Sequence, residues 1–479
     1  MTTVRARRAP DASMRRLRFN EQVSPSLWFV PGLFIVGALM LSRLTLYIDH
    51  RHGGFTSPSW LVIDDPDAAG LFTGTVAAAM LSFVAMVFST TFIAIQLAGA
   101  QYSPRVVRVF VRSRLTHVTL GLFLATFVVS MSALIDTRGR QPEKVPVLTV
   151  AVVVLLLITT LGVFVVFVHG MSMVLRIQYL SARITRDGRN SLAAVFAPGD
   201  ERDALLPEHD RRTEVRHTAP SGVVQAYSRQ GLVNLAERHD AVIELLVDTG
   251  IYVGTGTPLA VIHTSGSTPT AEEIVAHFVL GHERTMYQDP GFALRQLVDI
   301  AIRALSPAVN DPTTSAQAVD RITDLIAGVV GLPDPIAWYA DGSGTARLKC
   351  GRAELDRLLT LSYSEVIRYG ADAPQVIRRL RSAFDLLEPI ARPDVLPVVR
   401  ELRRTLDRAA ADALPAAFTE LSADADAEGL GWRLPFPSCN RSPATTSTST
   451  ATPSTKPVRH GTPSLPRPAG TSTAWAARC

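Results

Sequence analysis

The sequence predicts an α-helical integral membrane protein with four transmembrane helices and a C-terminal cytosolic α/β region. Four long apolar runs lie before about residue 176, and each exceeds the roughly 20 residues that are needed to cross a bilayer. Beyond them, the hydrophobic pattern changes to that of short strands and amphipathic helices. The last segment, residues 438–479, is rich in Ser, Thr, Pro and Arg, a composition that predicts a disordered tail.

The first part of the chain has a clear order of segments. Residues 1–20 are basic and polar and are predicted to be disordered. The transmembrane domain covers residues 21–177, with helices at about 27–48, 71–98, 115–135 and 146–174. Arginines cluster before the first helix, after the second and after the fourth. By the positive-inside rule, both termini are predicted to be cytoplasmic.

The second transmembrane helix has polar residues at every seventh position. Because seven residues are almost two helical turns, these side chains form a stripe that drifts only about 20° per step. Two interpretations remain open: a seam between packed helices, or one wall of a permeation path in an oligomer. The pore-lining candidates are Thr75, Ser82, Ser89, Gln96 and Ser103.

A basic segment follows the stripe at the cytoplasmic end of this helix. Its arginines recur at helical spacing after Pro104. They are interpreted either as positive-inside anchors or as a cytoplasmic mouth that attracts anions. The mouth hypothesis covers Gln101, Arg105, Arg108 and Arg112.

The cytosolic part is predicted to contain a connector at residues 178–214, a small β-rich module at 215–268 and a helical domain at 269–415. The stretch Asp248–Ile262 resembles the closing hairpin of biotinyl- and lipoyl-type barrels, so the module is expected to be barrel-like. No lysine occurs between Lys144 and Lys349, so the residue that such carriers modify is missing. The module is therefore predicted to be structural.

A dense group of charged and amide side chains begins the helical domain. Two Asp-Pro pairs predict helix N-caps, and an Arg–Asp–Arg series at four-residue spacing predicts an ion ladder on one helix face. The alternative is a site for an anionic ligand or for acid–base chemistry. The predicted cytosolic polar network is Arg284, Asp289, Arg295, Asp299, Arg303, Asn310 and Asp311.

Two stretches make the sequence similar to a known family. Residues 92–105 follow a spanning helix and read FIAIQLAGAQYSPR, and residues 295–314 read RQLVDIAIRALSPAVNDPTT. This combination resembles the bacterial predicted membrane proteins grouped as domain of unknown function 2254, over about residues 18–413. The resemblance implies an inner-membrane protein with four N-terminal helices and a soluble C-terminal half, and it implies no activity.

Several chemistries lack their sequence signatures. The chain has no P-loop, dinucleotide fingerprint or nucleophile elbow, so neither an enzyme nor a cofactor is predicted. Its cysteines, Cys350, Cys439 and Cys479, lack metal-ligand or disulfide spacing, which predicts a reducing compartment and no metal. The net charge of +5 is carried mainly by arginines near the membrane and in the tail, which favours lipid head groups over nucleic acid.

These observations lead to one function hypothesis and one alternative. The chain is predicted to be a homo-oligomeric, channel-like or transport protein for ions or small solutes, with a cytosolic regulatory domain. The alternative is a membrane-anchored ligand-sensing or scaffolding protein that transports nothing. The expected partners are the lipid bilayer, further copies of the chain, and a small ion or anionic ligand. An enzyme built on residues 284–311 ranks below both.

Overall fold

The computed structural model describes residues 2–8, 29–51, 65–101, 114–139, 145–174, 176–196, 201–351 and 354–414. The chain divides into two units, residues 1–432 and 433–479, and every described residue belongs to the first. The predicted disordered tail at 438–479 lies outside the described residues.

Four long helices form the apolar N-terminal part: α1 (Phe29–Arg51), α2 (Pro66–Gln101), α3 (Arg114–Gly139) and α4 (Val147–Val174). Each is long and apolar enough to cross a membrane, which confirms the prediction of four such helices. Helix α3 is the central one, because α1, α2 and α4 all pack against it. Half of its apolar window is buried, against about a fifth for the other three helices.

One end of this bundle is fixed by side chains from α1. The carboxylate of Asp49 accepts hydrogen bonds from the backbone amides of Leu148 and Thr149, both at 3.0 Å, and from the Thr149 hydroxyl at 2.8 Å. It therefore satisfies free amides in the first turn of α4, as an N-cap does. Next to it, His50 Nε2 lies 3.1 Å from Asp136 Oδ2 on α3. These contacts tie α1 to both α3 and α4.

The α/β region contains two open sheets. Its strands are β1 (Thr2–Arg8), β2 (Glu201–Leu206), β3 (Arg211–Arg216), β4 (Gly222–Tyr227), β5 (Ala241–Leu245), β6 (Tyr252–Val253), β7 (Pro258–Thr264), β8 (Phe278–Gly281), β9 (Trp338–Ala340) and β10 (Ala346–Lys349). The seven-stranded sheet has the order β2-β1-β9-β10-β5-β7-β3, and the three-stranded sheet has the order β6-β4-β8. Two short helices, α6 (Arg229–Arg238) and α7 (Ala271–Val275), belong to the same region.

The predicted barrel-like module at residues 215–268 needs correction, because the described sheets do not close. Within this range, β5 and β7 join a sheet that continues through β10 and β9 to β1 and β2. Strands β4 and β6 instead pair in the second sheet, whose third strand is β8. The strands of the module thus find partners before and after it in the sequence, which a local hairpin resemblance cannot reveal.

The predicted disorder of residues 1–20 also needs correction at Thr2–Arg8, which form strand β1, while residues 9–20 lie outside the described residues. This strand pairs antiparallel with β2 over six residues and parallel with β9 over three. Its basic, polar composition indicated disorder when read alone. The free backbone groups of β2 and β9, however, offer ladder hydrogen bonds to any extended segment that reaches them.

The turn between β9 and β10 is organised by one carboxylate. Asp341 accepts hydrogen bonds from the backbone amides of Ser343 and Thr345, both at 2.9 Å, from the Ser343 hydroxyl at 2.6 Å and from Arg347 Nε at 2.9 Å. Burial pushes the pKa of Asp341 upward, but the hydrogen bonds from Ser343, Arg347 and Thr345 outweigh it and leave the pKa lowered. Asp341 is thus held ionised in the folded protein.

We expect Asp341 to make the stability of the α/β region depend on pH. Its folded-state pKa lies below the unfolded value of about 3.9. The stabilisation is therefore present above the unfolded pKa and is lost as the pH falls through the folded pKa. Thermal unfolding of the wild type and of Asp341→Ala from pH 7 to pH 3 should show a difference that shrinks with acidification. A constant difference would contradict this prediction.

The helical domain consists of α5 (Ile177–Phe196), α8 (Pro290–Ala304), α9 (Pro312–Ala327), α10 (Leu355–Gly370), α11 (Pro374–Leu387) and α12 (Leu396–Ala413). Its apolar core includes Leu180, Ile184 and Leu192 of α5. Residues 178–214, predicted to be a connector, thus supply a core helix as well as strands β2 and β3. On the membrane side, Ile95 of α2 packs against the same core.

Helix α5 approaches α8 closely at a glycine. A Cβ added to Gly188 would lie 2.6 Å from the Ala293 Cβ. We therefore expect Gly188→Ala to lower the free energy of unfolding by about 1–3 kcal/mol, because the two backbones must move apart. Gly162→Ala in α4 is the control, since no heavy atom lies within 4 Å of its added Cβ. In thermal unfolding, equal stability of the two variants would contradict the close packing.

Candidate functional site

The described part of the α2 stripe lies on the outside of the four-helix bundle. Thr75, Ser82, Ser89 and Gln96 are all exposed, whereas the opposite face of the helix buries Val76, Met80, Val87 and Ala94. The stripe is therefore not a seam between helices of the same subunit. A seam between subunits and a water-filled path both remain compatible with it. Ser103 lies outside the described residues.

The polar side chains of the α2 stripe differ in the free-energy cost of exposing them to lipid. The Thr75 hydroxyl donates to the Leu71 carbonyl at 2.7 Å, and the Ser82 hydroxyl donates to the Ala78 carbonyl at 3.2 Å. Such bonds within the helix partly satisfy a hydroxyl in an apolar medium. Gln96 carries an amide with two donors and an acceptor, which is expensive to expose to hydrocarbon. Gln96 is thus the residue of the stripe that most needs water or another protein surface.

The proposed cytoplasmic mouth is mostly beyond the described residues. Gln101 is the last residue of α2, and its side chain is not described. Arg105, Arg108 and Arg112 lie outside the described residues as well. Both interpretations of this segment stay predictions.

The predicted cytosolic polar network separates into helix caps and one inter-helix ion pair. Asp289 caps α8 by accepting from the Phe292 amide at 3.1 Å, and it also pairs with Arg284, whose guanidinium approaches to 2.6 Å. Asp311 caps α9 by accepting from the Thr314 amide at 3.0 Å. These contacts are the ones that the structural interpretation of the two Asp-Pro pairs expects.

The remaining network residues lie along α8 and in the turn after it. Arg295 donates to Asp299 at 2.8 Å and also pairs with Glu365 of α10. This interaction links α8 to α10. Arg303 is exposed near the end of α8, and Asn310 has a left-handed backbone with φ of 46° in the turn before α9. The contacts of these residues support a structural role.

The densest buried polar group of the α/β region carries no sequence motif. The guanidinium of Arg229 lies 5.3 Å from the Tyr227 ring centroid and 5.5 Å from that of Tyr339, both cation–π distances. The Tyr227 hydroxyl donates to Asp248 at 3.4 Å, and Cys350 is buried beside them. These residues span more than a hundred positions of the sequence, so no local spacing could have indicated them.

The protonation states of this buried group argue against thiol chemistry. Burial raises the pKa of Cys350 to about 12 and raises that of Tyr227 well above its ordinary value. Burial also raises the pKa of Asp248. A thiol that stays protonated at neutral pH is a poor nucleophile. The group is therefore suited to holding β4, α6 and β10 together.

A tight turn connects this buried group to the first cap of the helical domain. The Thr249 hydroxyl donates to the Gln288 carbonyl at 3.0 Å. Gly250 has φ of +84°, and a Cβ there would lie 2.3 Å from Asp289 and 2.7 Å from Arg284. Both the left-handed backbone and the lack of space for a Cβ require glycine at this position. The start of α8 is thus set by contacts with the α/β region.

A second polar stripe, on α3, was missed in the sequence. Thr119, Thr126, Ser130 and Thr137 lie on one face of α3 and are all buried within the bundle. The Thr126 hydroxyl lies 3.0 Å from the Thr160 hydroxyl of α4. Seven-residue spacing, as between residues 119 and 126 or 130 and 137, is the signal that could have revealed it. Small hydroxyl residues of this kind commonly pack membrane helices together.

The α/β region also has a shallow open groove of about 400 Å³ beside β8. Its walls combine apolar and polar side chains, including Glu272, Val275, Phe278 and Leu280. Over the described ranges, no three His, Cys, Asp or Glu side chains are grouped so that they could hold a metal ion.

The comparisons with known proteins place these features in a family. A family model described as predicted membrane protein, domain of unknown function 2254, matches residues 24–385. This chain belongs to that family. The match runs through the four apolar helices, every strand of the two sheets except β1, and most of the helical domain, so it confirms the resemblance seen in the sequence. As a DUF2254 protein, the chain is grouped with predicted membrane proteins.

Two relatives of this DUF2254 protein come from Mycobacterium bovis and Mycobacterium tuberculosis, and each is described as an uncharacterized protein. Each is 26% identical over 397 residues, which cover 80% of this chain and 75% of the relative. No solved structure matches the chain.

Proposed function

We propose that this chain forms a homo-oligomeric, channel-like protein that conducts ions or small solutes, with α2 lining or flanking the path. The supporting observation is that Thr75, Ser82, Ser89 and Gln96 face outward from the four-helix bundle. In a single subunit most of this face would contact lipid, which offers no hydrogen-bond partner to the polar groups of the stripe. Further copies of the chain, with water between them, supply the hydrogen-bond partners that lipid lacks.

The proposed location is the bacterial inner membrane with both termini in the cytoplasm. The pairing of β1 with β2 and β9 supports this topology, because it puts residues 2–8 and the soluble region into one sheet. An even number of crossings between them is then required, and four apolar helices provide it. The arginines that flank the helices favour the cytoplasmic side for both.

The cytosolic region is proposed to regulate the path through α2. Ile95 packs against the apolar core of the helical domain, and the stripe residue Gln96 directly follows it in the sequence. A shift of that core would therefore displace the cytoplasmic end of α2. This direct contact gives the soluble half a mechanical connection to the proposed path.

Flux through the purified protein in liposomes tests the proposal. We expect the wild type to conduct ions and the double variant Ser89→Leu, Gln96→Leu to lose at least tenfold of that flux while remaining folded. The matched control is Thr159→Leu, Ser172→Leu on α4, where both hydroxyls are also exposed and also donate to carbonyls of their own helix. Equal flux through all three proteins would contradict a path along α2.

The alternative function, a membrane-anchored sensing or scaffolding protein, is favoured by the groove beside β8. That groove offers Glu272 and a partly apolar wall formed by residues such as Phe278. If wild-type liposomes show no flux under any ion gradient or voltage, the helices act as an anchor. Ligand or partner binding at this groove would then be the function to measure.

A further inference from the structure

Helix α5 begins directly after the membrane. Helix α4 ends at Val174 and α5 starts at Ile177, so only two residues separate the end of a transmembrane helix from α5. The helical domain itself also reaches the membrane boundary, because its core contacts Ile95 within the apolar window of α2. The start of α5 therefore lies at the level of the lipid head groups.

One face of α5 is fixed in the helical domain. Leu180, Ile184 and Leu192 are buried in the core, and Gly188 fits closely against Ala293. Because this side of the helix is held in place, the orientation of the opposite side is fixed as well.

The opposite face carries an exposed basic stripe, which we call the α5 stripe and which begins at the residue directly before the helix: Arg176, Tyr179, Arg183 and Arg186. These positions follow one another at intervals of three and four residues, which places them on a single helix face. Arg176, Tyr179 and Arg186 are exposed, and Arg183 is partly exposed. The aromatic ring among the arginines is typical of a membrane interface.

The arginines of the α5 stripe lack the acidic partners that several other arginines of the helical domain have. Arg189, on another face of α5, pairs with Asp324 at 2.5 Å, and Arg381, Arg392 and Arg403 each have an acidic partner. In the part of the chain that the structure describes, Arg176, Arg183 and Arg186 make no ion pair. Between Arg176 and Arg189 the sequence has one acidic residue, the exposed Asp187, so this part of the chain carries an excess of positive charge.

We propose that the α5 stripe binds anionic phospholipid head groups of the adjacent leaflet. Arginine pairs with phosphate through charge-assisted hydrogen bonds. From Arg176 to Arg186 the helix advances about 15 Å, so binding by all three arginines requires α5 to run along the membrane surface, within a Debye length of the head groups. Because the buried face of α5 is part of the helical core, bound lipid holds that core at the membrane.

The test uses the full-length protein in a neutral detergent and short-chain phosphatidylglycerol as the probe. Thermal unfolding is followed as the lipid is titrated, with phosphatidylcholine as the neutral comparison. We expect phosphatidylglycerol alone to raise the melting temperature of the wild type. In the triple variant Arg176→Gln, Arg183→Gln, Arg186→Gln, the half-maximal concentration should rise by about 100-fold, because each arginine near an anionic surface contributes about fivefold.

Two further variants make the test specific. Arg400→Gln, Arg404→Gln, Arg408→Gln removes the same charge from α12, where each arginine already has an acidic partner, and should respond like the wild type. The variant Arg176→Lys, Arg183→Lys, Arg186→Lys retains the charge and should keep most of the response, even if the glutamine variant fails to fold. Three results would each overturn the proposal. The first is a half-maximal lipid concentration in the α5 glutamine variant equal to that of the wild type, and the second is an equal rise of that concentration in the α12 variant. The third is a wild-type melting temperature that rises as much with glycerol phosphate as with phosphatidylglycerol.

Discussion

Asp289→Ala is expected to lower the free energy of unfolding by about 3 kcal/mol. The substitution removes the N-cap of α8, which alone contributes about 1 kcal/mol. It also leaves the guanidinium of Arg284 without the carboxylate that it pairs with at 2.6 Å, and breaking a buried pair costs 3–5 kcal/mol when both charges are enclosed. Arg284 is about one-third exposed, so water reduces that part of the cost. Thermal or denaturant unfolding of the purified protein measures the loss.

Asp311→Ala is the matched comparison for this prediction. Asp311 stands before the proline of α9 in the same way that Asp289 stands before the proline of α8, and it also accepts from the amide three residues later. Its other contact is the hydroxyl of Thr314 rather than an arginine. We expect Asp311→Ala to lower the free energy of unfolding by about 1 kcal/mol. Equal losses in the two variants would show that the Arg284 pair adds nothing.

Asp49→Ala is expected to lower the stability of the membrane bundle by about 2–4 kcal/mol. The carboxylate accepts three hydrogen bonds from the first turn of α4, a hundred residues away in the sequence. Hydrogen bonds to a charged group contribute about 1.5–3 kcal/mol each before non-additivity, and the buried amides left behind have few alternatives at the membrane. The measurement is the melting temperature in detergent.

Two variants show whether the Asp49 effect depends on this geometry. Asp49→Asn keeps an acceptor oxygen and should recover part of the loss. Asp67→Ala removes an exposed acid from the first turn of α2 and should cost less than about 1 kcal/mol, the usual contribution of a charge near an exposed helix end. A loss for Asp49→Ala no greater than that for Asp67→Ala would mean that the cap is dispensable.

The sequence predicted well those features that depend on local pattern. The four apolar helices follow from the length of the apolar runs, and the two caps follow from Asp-Pro pairs at the start of amphipathic helices. The Arg295–Asp299 pair follows from four-residue spacing. In each case the residues that determine the structure are close in the sequence, so periodicity and spacing are sufficient to find them.

Features that depend on distant partners could not be predicted in this way. The open sheets replace the expected barrel because β5 and β7 continue into strands more than seventy residues later. The Arg229 cluster joins residues from positions 227 to 350. The direction in which the α2 stripe points is set by which face packs on α3, and the polar period alone does not reveal it. Burial and pairing at long range decide all three features.

The position of β1 between β2 and β9 in the large sheet also governs the order in which the protein can be completed. Residues 6 and 338 are direct neighbours in the ladder, so β1 can complete its pairing only after a segment that is made about 330 residues later. At about 5–20 residues per second, this delay is roughly 15–65 seconds, during which all four helices are inserted. The large sheet is therefore one of the last parts of the described chain to form, because it needs residues 2–8 together with strands that are made after all four apolar helices.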